Sequence, residues 1–380
     1  MNGLATAFVL GAGLLWLSVY GYWGALWVVS VRRRRPVRPL SQLPRIAVIV
    51  PTLNEEGRIL ERLEDLRYTD YPSDLVSVVV VDGGSTDDTV HRVQQEIESG
   101  RAVELVRLEG VRGKMEQVQH ALEKVEQPVA VITDADAALD PRCIRELVRM
   151  LEDDPGTAVV GAVVRPDTRL LEERLHWWIL NQLWWIEGEA LSSAGISGVC
   201  YAVRRRCVGP LAQGARAEDA HLALATSARG QRVRVCPSAQ ATELRVPGTA
   251  SELMRFRRRR GRVLIHEILH ALRTRRAPLA CRLACVMRLW HFVGAPLAAA
   301  GLFLLAAPLL ASPDWFWVAG AGAAFVAPPL VAVYASAGFG AERRPWWRLG
   351  AASARLVALT FTSLLALHWP WRRHRNGVRP

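Results

Sequence analysis

From Leu4 to Val31 the chain carries no charged residue. The run LATAFVLGAGLLWLSVYGYWGALWVVSV exceeds the roughly 20 apolar residues that cross a bilayer, so at least one end of the chain is built for a membrane. It lacks the basic start and short apolar core of a cleaved secretory signal, and it reads as a retained anchor over 1–31. Arg32 to Arg35 follow at once, with Arg38 and Arg45 soon after. Basic residues beside a spanning helix favour the cytoplasmic side, which places the rest of the chain inside the cell, at an inner or plasma membrane.

The other end repeats the pattern. Leu289 to Leu310, Trp315 to Ala337 and Leu349 to Trp369 are apolar stretches, edged by Trp315, Trp317, Trp346, Trp347, Trp369 and Trp371 as interfacial aromatics are. The expectation is a region of about three segments over 285–370. Full crossing by all three would leave the basic tail WRRHRNGVRP outside, against the positive-inside tendency, so either the tail is tolerated there or one stretch is re-entrant or interfacial. The net charge of +12 is concentrated beside these apolar ends, which points to anionic lipid rather than nucleic acid. Six cysteines without a C-x-x-C pair fit a reduced cytosolic domain, not a disulfide or zinc framework.

Between Arg45 and about Val246 the pattern changes to short β-branched runs alternating with amphipathic stretches. RIAVIV is a strand expected to break at Pro51; GRILERLEDLRY follows with Ile59, Leu63 and Leu66 at helical spacing. LVSVVVVDGGSTDDTV repeats the plan, and VELVRL, GKMEQVQHALEKV and PVAVITDAD add two strands with a helix between. Such alternation predicts an α/β fold with a mostly parallel, Rossmann-like sheet, in which ligands bind at the carboxyl ends of the strands. Asn54 and Glu55, Asp82 to Ser85, and Asp134 with Asp136 should therefore share one crevice.

These residue types carry chemistry. Gly83 and Gly84 would let backbone N–H groups approach a ligand, with Ser85 or Thr86 capping the next helix. Asp134 and Asp136, two apart at a strand end, offer hard oxygens to a Mg²⁺ or Mn²⁺ ion, which commonly bridges a carboxylate to substrate phosphates. Asp140 reads as the cap of the helix after Pro141. Glu218 and Asp219 open another helix, where the dipole favours carboxylates even without function. The Trp177-Trp178 and Trp184-Trp185 pairs fit plain packing as well as an interface helix that guides an acceptor.

PTLNEE, VVDGGSTDDT, Gly113-Lys114, TDAD and the later Glu218-Asp219, in this order between apolar ends, resemble a membrane-bound family 2 glycosyltransferase with a GT-A catalytic domain, here over 45–250. The resemblance implies a nucleotide-diphosphate sugar donor, a UDP-sugar, held by Pro51, Asn54, Glu55, Asp82, Lys114 and Asp134. It implies Asp136 as the direct ligand of Mg²⁺ or Mn²⁺ and Asp219 as the base of an inverting transfer. Gly198, Arg204, Glu218, Arg257 and Arg258 would lie toward the acceptor and diphosphate. The family often has a second aspartate where this chain has Gly83.

Nine arginines lie between Arg255 and Arg276, so 251–280 reads as interfacial helices against lipid headgroups, worth about 1 kcal/mol per residue near the surface. Many processive members carry Gln-x-x-Arg-Trp here. Aligned on Gly261, this chain has Met254, Arg257 and Arg258 at the glutamine, arginine and tryptophan positions, a degenerate form that favours non-processive transfer to a lipid or lipid-linked acceptor over polysaccharide synthesis. His266-Glu267-Ile268-Leu269-His270 also spells H-E-x-x-H, so a membrane zinc peptidase stands as an alternative of another class. It leaves the acidic strand ends without a role.

Overall fold

A computed structural model of the chain describes residues 3–33, 42–209, 217–274 and 277–335. The expected segment at 349–369, the basic tail and Arg34, Arg35 and Arg38 lie outside the described residues.

Eight strands form one sheet: β1 (Ile46–Thr52), β2 (Val76–Asp82), β3 (Val103–Arg107), β4 (Val129–Thr133), β5 (Ala137–Leu139), β6 (Thr157–Pro166), β7 (Cys200–Arg204) and β8 (Arg232–Glu243), in the order β3-β2-β1-β4-β7-β6-β8-β5. The first four are parallel; β7 runs antiparallel to both β4 and β6, β8 is parallel to β6, and β5 is antiparallel to β8. The mostly parallel α/β sheet is thus as expected, with a second, mixed half beside it.

The strand sequences explain the core. Every residue of β1 and β4 is buried, as their unbroken Val, Ile and Ala runs require when helices cover both faces of a sheet. One detail differs from expectation: β1 continues through Pro51 to Thr52. Pairing with β4 ends at Ile49 while pairing with β2 runs on to Thr52, so the missing N–H falls where only one neighbour remains.

The helices near the site are α3 (Ile59–Arg67), α4 (Thr89–Glu98), α5 (Lys114–Lys124), α6 (Cys143–Asp153), α7 (Leu171–Ala190), α8 (Glu218–Ala228) and α9 (Ala250–Leu272); α1, α2 and α10 to α12 belong to the apolar ends. Ile59, Leu63 and Leu66 turn inward from α3, as their spacing predicts. The cap of α4 is a correction: the Asp87 carboxylate, not Ser85 or Thr86, accepts the Thr89 N–H at 3.0 Å. Asp140 does not cap α6 itself: its carboxylate accepts the Arg142 N–H at 3.0 Å, in the turn that precedes the helix. Of the tryptophan pairs, Trp177 and Trp184 are buried in the sheet's core with ring centroids 6.2 Å apart.

Among the described residues, two helices are long and apolar enough to cross a membrane, 3–33 and 279–310. The first joins α1 (Gly3–Trp16) to α2 (Tyr22–Arg33) through a wider turn, Leu17–Gly21. The second joins α10 (Leu279–Leu289) to α11 (Ala295–Leu310) through a like turn, Trp290–Gly294, and so starts ten residues before Leu289, taking in Arg282 and Arg288. A third apolar helix, α12, spans Trp315–Ala335. Phe8 of α1 packs with Ala306 and Leu309 of α11, which brings the two ends of the chain together. All six cysteines are free.

Candidate functional site

The register Thr52 to Asp82 makes the chain leave β1 and β2 side by side, and the two exits are stitched together. Asn54 takes a left-handed backbone, φ 59°, which asparagine tolerates better than most residues. Its N–H donates to Ser85 Oγ at 2.9 Å, and its Oδ1 accepts from the Thr86 N–H at 2.9 Å. Asp82 is 1% exposed, and its carboxylate accepts the N–H groups of Gly84 at 3.0 Å and Ser85 at 3.1 Å. Its oxygens therefore build the turn. The glycines serve the chain as well: a Cβ would stand 2.5 Å from the Arg112 carbonyl oxygen at Gly83 and 2.6 Å from that of Gly110 at Gly84, where φ is +92°. The close approach predicted for a ligand is here made by residues 110–112.

Lys114, first residue of α5, stands at the centre. Its Nζ lies 2.6 Å from Asp134 Oδ1 and 2.5 Å from Glu218 Oε1, and it donates to the Gly198 carbonyl at 2.8 Å. Four separate stretches of sequence thus meet on one ammonium. Burial opposes charge on this lysine, but Asp134 and Glu218 outweigh it and hold its pKa well above the usual lysine range. Burial also pushes Asp134 up to about 6, against the pull of Lys114. Asp219 is raised too, by burial first and then by Glu218, the direction that makes a carboxylate a better proton acceptor near neutral pH. The Tyr201 hydroxyl of β7, close enough to feel Glu218, Lys114, Asp219 and Asp134, is buried and has no hydrogen-bond partner among the described residues.

Gly198 is where the acidic pair and the lysine converge. A Cβ there would lie 3.0 Å from Glu218 Oε1, 3.1 Å from Asp219 Oδ2 and 3.2 Å from Lys114 Nζ, so a side chain would push into the cluster. Asp134 extends the pairing of β4 with β7, its N–H donating to the Val199 carbonyl at 3.0 Å; the chain then turns at 135–136, and the two aspartates face different cations. Asp136 Oδ2 is 3.2 Å from Arg245 Nε, while Arg245 Nη2 is 2.6 Å from Glu55 Oε2. Burial raises the Glu55 carboxyl, and Arg245 offsets part of the rise.

Other expected residues lie elsewhere. Arg204 is paired with Val129 at the start of β4, whereas Cys200 is paired with Thr133 at its end. Four steps of strand at about 3.3 Å each, from Cys200 to Arg204, therefore carry Arg204 about 13 Å away from the crevice end of β7. There it bonds to the Leu151 carbonyl at 2.6 Å and to Glu152 Oε1 at 2.8 Å, a correction that follows from β7 entering antiparallel. Arg257 is tied to Glu173 Oε2 at 2.7 Å. Arg258 Nε is buried without a hydrogen-bond partner among the described residues. Arg260 of α9 meets Glu243 Oε1 at 3.3 Å and contributes to the field at Asp219. Burial lifts Glu243 to about 7. Arg245, Arg260, Glu243 and Tyr201 escaped the sequence reading, since none stands in a motif; only the strand pairing brings them in.

The H-E-x-x-H letters form no comparable site. Glu267 is 1% exposed and engaged with His221 Nδ1 at 2.9 Å, and among the described residues no group of three or more His, Cys, Asp or Glu side chains is placed to hold a metal. The letters thus have no third ligand among the described residues, which leaves the peptidase alternative without support; the crevice offers Asp136 and Asp134 to an ion that would take its remaining ligands from phosphate and water. Mg²⁺ and Mn²⁺ are bound in this way in nucleotide sites, and Asp136 with Asp134 fits it.

The model of glycosyl transferase family 2 matches residues 47–206, and that of glycosyl transferase family group 2 matches residues 129–326. An N-acetylglucosaminyltransferase of Azorhizobium caulinodans is 25% identical over 62% of this chain and 64% of its own length. A probable glycosyltransferase of Bacillus subtilis, YdaM, is 26% identical over 53% of this chain and 50% of its own. The chain thus spans about half to two thirds of the length of these curated relatives. The solved structure of the mannosyltransferase PcManGT from Pyrobaculum calidifontis, in complex with GDP-Man and Mn²⁺, matches 94% of this chain and 99% of its own at a TM-score of 0.69 and 25% identity. The fold is of the GT-A type, the family group 2 model covers more than half of the chain, and the chain belongs to the family 2 glycosyltransferases.

Proposed function

We propose that this chain is a membrane-integrated, inverting glycosyltransferase that moves a sugar from a nucleoside-diphosphate donor to a lipid or lipid-linked acceptor, one or a few sugars at a time. One observation carries the reading: Lys114 bridges Asp134 and Glu218 at 2.6 and 2.5 Å, tying the strand end suited to a donor to the helix start that bears Asp219. Asn54, Glu55, Asp134 and Lys114 would hold the nucleotide, with Pro51 and Asp82 shaping its floor.

Asp136 would hold a Mg²⁺ or Mn²⁺ ion, which when bound supplies positive charge to the leaving diphosphate. Asp219 takes the proton from the acceptor hydroxyl as its oxygen attacks the anomeric carbon. Glu218 and Lys114 position Asp219, and Gly198 keeps the approach open. Arg260 of α9 adds positive charge on the acceptor side.

The catalytic unit would be residues 45–250, anchored by residues 1–31 and 285–370 at an inner or plasma membrane, with 251–280 along a lipid surface. The two apolar helices support this placement, and the arginines of α9 suit anionic headgroups. A UDP-sugar is the donor that the motif pattern favours. A GDP-sugar is the second reading, supported by the mannosyltransferase bound to GDP-Man. Assaying detergent-purified chain with UDP- and GDP-sugars against a lipid extract tests both: transfer dependent on Mn²⁺ and lost in Asp136→Asn and Asp219→Asn is expected, and full transfer by both variants would sink the mechanism.

A further inference from the structure

Three carboxylates, Glu55, Asp134 and Asp136, face one crevice, and like charges so placed repel unless a cation lies among them. Lys114 answers Asp134. The second cation is Arg245, whose guanidinium spans Glu55 at 2.6 Å and Asp136 at 3.2 Å.

The two partners differ in how firmly they are held. The Glu55 and Asp136 side chains are 11% and 20% exposed, whereas that of Arg245 is 60% exposed. The acids sit on fixed backbone: Asp136 immediately precedes β5, its carbonyl accepts the Leu244 N–H at 3.2 Å, and Glu55 N–H donates to Thr89 Oγ1 at 2.8 Å. Arg245 stands two residues past the paired end of β8, with most of its side chain in solvent. A strongly held pair of acids thus carries an exposed arginine on a long, flexible stem, and a guanidinium suits phosphate as well as carboxylate.

We propose that Arg245 is a built-in counter-cation: it neutralises Asp136 and Glu55 while the crevice is empty, yields Asp136 to the divalent ion that enters with the donor, and then pairs with the donor's phosphate. This rests on the donor reading above. Arg245 is then a positioning residue that couples metal binding to nucleotide binding. It competes with the ion when the ion comes alone and assists it when the diphosphate comes too.

The test measures free Mn²⁺ by electron paramagnetic resonance during titration of the purified full chain, with Mn²⁺ alone and with UDP or GDP present. Arg245→Ala, at an exposed site, should keep the wild-type melting temperature. It should bind Mn²⁺ alone about two- to fivefold more tightly than the wild type, the size of one exposed charge pair. The nucleotide's enhancement of Mn²⁺ affinity should fall in the variant by a similar factor, and Arg245→Lys should lie between the two. Unchanged or weaker binding of Mn²⁺ alone by Arg245→Ala would overturn the proposal. If instead the wild type and Asp136→Asn bind Mn²⁺ and nucleotide equally, the donor reading fails first and this one with it.

Discussion

Two regions of this protein carry the letters of a metal motif, and they turn out differently. TDAD closes β4, at the carboxyl end of a strand buried on both faces, where α5 and the segment after β8 bring Lys114 and Arg245 to its carboxylates. HEILH lies inside α9, where Glu267 is buried against His221. The first region is an acidic crevice whose countercharges are a mostly buried lysine and an exposed arginine; the second is an internal clasp between α8 and α9. Sequence spacing alone does not separate them. What does is the position of each motif relative to the sheet, because parallel strands aim their exits at a common opening while a helix interior aims its side chains at the next helix.

The largest expected break of this contrast is Asp219→Asn. Removing a general base costs about 10²- to 10⁴-fold in turnover, so transfer should fall by that factor while Mn²⁺-dependent nucleotide binding survives; retained turnover would take the base role away from Asp219. Next in size is Gly198→Val. Its side chain would enter a space already bounded at 3.0 to 3.2 Å by Glu218, Asp219 and Lys114, and kcat should drop by about tenfold or more, as misplacement of a catalytic group does.

A smaller effect comes from pH. Asp134 has a pKa near 6 and must be ionised to work beside a cation, so metal-linked nucleotide binding should weaken as pH falls through 6, by up to about tenfold per unit. Binding that is flat from pH 8 to pH 5 would contradict that role. Glu243 gives a stability signature of defined sign. Its folded pKa, about 7, lies above its unfolded value, so the unfolded state releases the proton first and stability declines as pH rises from about 4.3 to 7. In Glu243→Gln the melting temperature should lose that part of its decline. The smallest effect belongs to the clasp: His266→Ala, at the partly exposed first position of the H-E-x-x-H letters, should leave sugar transfer at the wild-type level, and a large loss would reopen the comparison.

The architecture was legible because its cause is local. Three largely apolar runs and a fourth, mixed one, VELVR, separated by amphipathic stretches, leave few alternatives to a covered, mostly parallel sheet, and the observed β1, β2, β4 and β3 are those runs. The acidic strand ends were legible for the same reason. The rest depends on pairing between distant segments. Nothing in ISGVCYAVRRR reveals that β7 runs against β4, yet that direction keeps Gly198 at the crevice and sends Arg204 to the opposite end of the sheet. The glycines of DGGST announce a close approach without naming the partner, which proves to be residues 110–112. Arg245 is one arginine among many in a basic chain, and only its place beyond β8 sets it on Asp136 and Glu55.

The central claim is that the crevice binds a nucleoside diphosphate through a divalent ion on Asp136. Isothermal titration of the purified chain with UDP and with GDP, each with and without Mn²⁺, addresses it directly. The account predicts that one nucleotide binds more tightly with Mn²⁺ and that Asp136→Asn abolishes the difference. Equal binding with and without the ion, or an undiminished Mn²⁺ effect in Asp136→Asn, would contradict it.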